Sequence, residues 1–134
     1  TMSLGVTYPE PSARPSREAS IAMIHIALEL GCQFFDTADS YSAHGKDFGY
    51  VESILHDALK SFAVKHKDSA RRTCAVHVAT KGGMLRRGGE SRDWHMSACA
   101  PDILYACIQQ SRDRILGKDS TDPLFLWQGD HFNT

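Results

Sequence analysis

An α/β fold built on a parallel sheet is what this sequence predicts, and two observations carry that prediction. Short apolar runs alternate along the whole chain with segments of helical length and periodicity, the pattern of consecutive β-α-β units. The runs also end on charged residues: Phe34-Phe35 breaks into Asp36, and Val76-His77-Val78-Ala79-Thr80 ends on Lys81 followed by Gly82-Gly83.

The elements follow in order. Ser16 is placed to cap a helix carrying Ile21, Ile24 and Leu28, and Gly31 stands where a helix-ending glycine belongs. Cys32 to Phe35 then reads as a short buried strand. Residues 42–49 are polar and glycine-bearing and read as a loop. Val51, Ile54, Leu55, Ala58, Leu59 and Phe62 recur at helical spacing and predict a second amphipathic helix. Residues 65–73 carry four lysines and arginines without periodicity and read as a surface connection. The next strand spans Ala75 to Thr80. Between Gly82 and Ala100 lie four glycines and little pattern, a segment too long for an ordinary connection and read as a functional loop. Pro101 suits the first turn of a third helix, which carries Ile103, Leu104 and Ile108 and closes at Gly117. Leu124-Phe125-Leu126-Trp127 is a last apolar strand. Pattern alone leaves open whether these units form an open doubly wound sheet or a piece of a barrel.

Composition narrows the function. The chain has 134 residues, the length of one ordinary domain, and a formal charge of -1, which argues against a nucleic-acid or anionic-membrane surface. The pairs Arg71-Arg72 and Arg86-Arg87 are too short for a basic stripe. No apolar run approaches the roughly 18 residues of a membrane span, and no secretory leader is visible. Cys32, Cys74, Cys99 and Cys107 form no Cys-x-x-Cys pair, so reduced thiols and a cytoplasmic location are the expectation. Cys74 and His77 are three apart on a strand and point to opposite faces, so no metal site is expected there.

The chemistry concentrates in Gly31-Cys32-Gln33-Phe34-Phe35-Asp36-Thr37-Ala38-Asp39-Ser40-Tyr41 and in the strand ending at Lys81. An acid, a phenol and an amine at strand ends are the parts of a proton-donating site. A nearby ammonium lets a phenol, whose ordinary pKa is about 10, act as an acid near neutrality, and a carboxylate can fix the ammonium. His77 shares the Lys81 face and reads as a satisfied core histidine; Trp94 and His95 could line a substrate pocket or lie on a solvated insertion.

These two motifs resemble the F-D-T-A-x-x-Y signature and the lysine strand of the aldo-keto reductases. Leu28-Glu29-Leu30-Gly31, Glu52, Lys81-Gly82-Gly83-Met84-Leu85-Arg86-Arg87 and Ser111-Arg112-Asp113-Arg114-Ile115-Leu116-Gly117 are similar to family positions as well. The resemblance covers nearly the whole chain. It implies a partial (β/α)8 TIM barrel over residues 1–134, entering at the end of strand one and stopping after about strand four. By the resemblance, Tyr41 is the general acid of an NADPH-dependent aldehyde or ketone reductase, Lys81 supports it, and Asp36 pairs with Lys81. Thr1, Met2 and Asp36 would meet the cofactor, NADP(H), with no metal involved.

The family's fourth catalytic residue is a histidine. Gapless matching from Leu116-Gly117 puts Trp127 there, with Phe125 and Trp127 on the face toward the site; His131 is the alternative if the strand end is shifted. The contacts that the family's second half makes to the cofactor are absent from these residues. The chain is therefore expected to bind NADPH weakly by itself, and to pair with a missing C-terminal half or with itself. The competing expectation is a non-catalytic remnant or interaction module that keeps the signature by descent.

Overall fold

The structure is a computed structural model that describes residues 1–5, 11–42, 47–66, 76–86, 94–96, 100–118 and 125–129. Three helices and five strands occur among them: α1 (Arg17–Glu29), β1 (Phe34–Asp36), α2 (Tyr50–Lys65), β2 (His77–Gly82), β3 (Met84–Arg86), β4 (Trp94–Met96), α3 (Pro101–Leu116) and β5 (Phe125–Gly129). The helix ends follow the local chemistry. The Ser16 side chain accepts from the Ala19 amide and caps α1, which ends where Gly31 turns through φ 90°. Pro101 opens α3 and Gly117, at φ 93°, closes it.

The main sheet has the order β1-β2-β5, and both pairings are parallel. Phe35 is level with Val78 and Asp36 with Ala79; Thr80 is level with Trp127 and Lys81 with Gln128. α2 packs against both α1 and α3, with Ile54, Leu55 and Ala58 fully buried among Ile24, Phe35 and Ile115. Burying a side chain the size of Ile54 or Leu55 contributes about 1.5–3 kcal/mol. This central packing holds the strand ends that carry the charged residues.

Two expectations change. The long segment after Lys81 is partly ordered as an antiparallel ladder, in which Met84 pairs with Met96, Leu85 with His95 and Arg86 with Trp94. Gly83, at φ 103°, lets the chain leave β2 and start that ladder at once. Trp94 and His95 thus stand on a strand. At the start of the chain, Met2–Leu4 forms a 3-10 turn where the end of a strand was expected. Thr1 still lies beside β1, its nitrogen and hydroxyl both donating to the Asp36 carbonyl, at 3.0 and 2.8 Å. The turn then brings Gly5 so close to the Tyr41 backbone that a methyl group there would overlap the Tyr41 carbonyl oxygen.

The register of β5 is set by its pairing with β2. In the backbone register, Thr80 is level with Trp127 and Lys81 with Gln128. His131 lies outside the described residues.

Candidate functional site

The site is assembled where β1 and β2 end. Asp36 is the last residue of β1 and is level with Ala79, so Lys81 stands two residues further along on the same face. Its four-carbon arm reaches back along the strand, and Nζ donates to Asp36 Oδ1 at 2.6 Å and to the Thr37 carbonyl at 2.7 Å. The ammonium also lies 4.9 Å from the centre of the Tyr41 ring. Asp36, Tyr41 and Lys81 therefore meet at one rim, the carboxyl end of the parallel strands.

The segment carrying Tyr41 is docked rather than draped over that rim. After β1 the chain keeps bonding to β2: the Thr37 amide donates to the Ala79 carbonyl at 2.8 Å, and the Asp39 amide to the Lys81 carbonyl at 3.0 Å. Tyr41 follows in a tight turn, its amide donating to Ala38 at 3.2 Å. The far end of the loop returns to its start, where the Gly49 amide donates to the Asp39 carbonyl at 2.6 Å. Thr37, Asp39 and Ser42 are buried beneath this turn, and Tyr41 packs half-buried against the core.

The electrostatics follow from the contacts. Burial by itself pulls the Lys81 ammonium toward a lower pKa, and that is the largest single effect. The Asp36 carboxylate and the Tyr41 phenol together more than reverse it, so Lys81 is held above its ordinary value of 10.5. The lysine is thus a fixed cation at neutral pH. Nearby on α3, burial pushes the Cys107 thiol up, and the Asp39 carboxylate adds to that.

Several contributors were missed in the sequence. The Thr37 carbonyl shares Lys81 with Asp36. Gly5 lets the opening turn approach Tyr41. Glu52, fully buried, accepts from the Thr80 hydroxyl at 2.6 Å and from Arg114 at 2.9 Å. Only Glu52 left a signal: an acid inside the apolar stripe of an amphipathic helix requires a buried partner.

Other candidates are placed without being joined to the site. The His77 amide donates to Gln33 at 2.7 Å, and its ring shares the Lys81 face but sits four residues back along β2. Among the described residues no cluster of histidine, cysteine and carboxylate side chains has the makings of a metal centre. No described helix is long and apolar enough to cross a membrane.

The aldo/keto reductase family model matches residues 1–129, and the chain belongs to that family. It is 33% identical over 112 residues to an uncharacterized oxidoreductase of Schizosaccharomyces pombe, covering 84% of this chain and 29% of that protein. The fold is similar to the crystal structure of a Pseudomonas aeruginosa protein described as an aldo-keto reductase. That match has a TM-score of 0.56 and 15% identity, over 86% of this chain and 35% of the other. The chain thus spans about a third of the length of these two relatives. Its parallel units correspond to part of the family's barrel.

A nicotinamide cofactor of such a family would need a seat for its ring and cations for its phosphates. Thr1 adjoins the rim through its bonds to the Asp36 carbonyl, and Met2, next in the chain, is half-exposed. For the phosphates, Arg14, Arg17, Lys65, Lys81 and Arg114 are each already paired with a carboxylate.

Proposed function

We propose that this chain carries the proton-donating part of an NADPH-dependent aldehyde and ketone reductase, with Tyr41 as the acid. The observation that supports the reading best is the position of Lys81, tied to Asp36 and to the Thr37 carbonyl, with its ammonium beside the Tyr41 ring. An ammonium beside a phenol favours the phenolate left after the proton departs, and so lowers the cost of donation. Asp36 and the Thr37 carbonyl keep the lysine protonated and aimed.

The bound cofactor would supply hydride to the carbonyl carbon. Tyr41 would place its proton on the carbonyl oxygen, while Lys81 stabilises the charge left on the phenol. Thr1 and Met2 would bound the nicotinamide end of the site. Catalysis would require further residues to hold the cofactor's phosphates, and the chain by itself would bind NADPH weakly and turn over little. The substrate class would be small aldehydes and ketones, because the reaction needs only a carbonyl within reach of the phenol.

A chimera tests this directly. Residues 1–129 would replace the matching segment of the Schizosaccharomyces pombe relative, and NADPH oxidation would be followed with an aromatic aldehyde. Turnover is expected, with Tyr41→Phe and Lys81→Met each lowering kcat by about 10²–10⁴-fold and KM changing much less. A folded chimera that oxidises no NADPH, or one indifferent to Tyr41→Phe, would overturn the reading.

A further inference from the structure

On the helix side of the sheet, behind the rim, sits a fully buried carboxylate that the proposed chemistry does not use. Glu52 lies in the first turn of α2 and is completely enclosed. Its two oxygens are divided between two elements: Oε1 accepts from the Thr80 hydroxyl on β2 at 2.6 Å, and Oε2 accepts from Arg114 on α3 at 2.9 Å. The other arm of the Arg114 fork donates to Gln110 at 3.0 Å. The side chain of Arg114 lies against Gly49, so closely that a methyl group on Gly49 would overlap Arg114 Cδ.

Each of these contacts leads to one half of the rim. Thr80 immediately precedes Lys81, and the two point to opposite sides of β2. Bonding Thr80 to a buried charge therefore fixes the strand from behind just where the lysine leaves it in front. Gly49 closes the loop that holds Tyr41, through its amide bond to the Asp39 carbonyl. It does so at φ 79°, and its lack of a side chain leaves room for Arg114. A single ion pair thus braces the lysine strand and the tyrosine loop together. Glu52 is fully buried and Arg114 partly exposed; a buried ion pair can often be replaced by apolar groups without loss of stability, so stability alone does not explain keeping one here.

We propose that Glu52 and Arg114 are positioning residues, which act through Thr80 and Gly49 to hold Lys81 and Tyr41 in contact. The catalytic importance of that contact rests on the function proposed above; the bracing itself does not. Breaking the brace should let the rim loosen while the core stays folded.

The test reads the contact by proton cross-relaxation between the Lys81 ε-methylene and the Tyr41 ring in the 134-residue chain, without cofactor or substrate. Thr80→Val keeps the shape and removes the hydroxyl; Thr80→Ser restores it. Glu52→Gln combined with Arg114→Met removes the charges without stranding one of them. Cooperative thermal unfolding reports whether each variant is folded. The cross-peak should fall at least twofold in Thr80→Val and in the double variant while unfolding stays cooperative, and should return in Thr80→Ser. An unchanged cross-peak in both variants, or a loss seen only where the cooperative transition is also lost, would overturn the proposal. Failure of the function instead appears in the chimera, as turnover indifferent to Tyr41→Phe with this cross-peak intact.

Discussion

Lys81 has a proton that its surroundings make hard to remove. Because its folded pKa lies above 10.5, the ion pair with Asp36 contributes all of its stability below about pH 10.5 and loses it as pH rises through the higher folded value. The gap in urea midpoint between the native chain and Lys81→Met should therefore be constant from neutrality to about pH 10 and close above it. A gap that closes between pH 6 and 9 would mean another group is titrating. The meeting of Asp36, Tyr41 and Lys81 was legible in the sequence because strand-end residues of parallel strands share one rim. The Thr37 carbonyl and Gly5 were not legible: a main-chain acceptor carries no residue identity, and the closeness of Gly5 to Tyr41 depends on a turn 36 residues away.

At the scale of the elements, the helices were the most readable parts. Ser16, Gly31, Pro101 and Gly117 mark four ends by local chemistry alone, which needs no tertiary information. Ser16→Ala should cost about 1 kcal/mol, measured by chemical denaturation, because the Ala19 amide loses its acceptor. Gly49 was read only as part of a polar loop, and its demand is larger. Alanine there adds roughly 1–2 kcal/mol of left-handed backbone strain to an overlap with Arg114. Gly49→Ala should consequently lower the melting temperature more than Ser16→Ala does; the reverse order would show that Arg114 moves aside freely. The β3–β4 ladder escaped notice because three-residue strands joined across glycines carry too little alternation to register as a pattern.

For the whole molecule, the parallel sheet was predictable from the alternation of elements, while its relation to a barrel came only from the motifs. Arg14, Arg17, Arg114, Lys65 and Lys81 are spent on internal pairs, which predicts the behaviour toward cofactor. Titrating the chain with NADPH while following tryptophan fluorescence should give no saturable change below about 100 µM, a level at which a competent site has at least about 5.5 kcal/mol of binding energy. Saturation in the low micromolar range would show that these residues bind phosphate by themselves. The order β1-β2-β5 has one more consequence. β2 is hydrogen-bonded on both sides, β1 is only three residues long, and the tyrosine turn hangs on a handful of amide bonds. Amide protons of β2 should exchange with solvent last and those of residues 39–42 early, because local opening begins where the fewest bonds must break. During such an opening the phenol would swing away first, leaving the amine on its strand, so the tyrosine is the part of this rim that breathes.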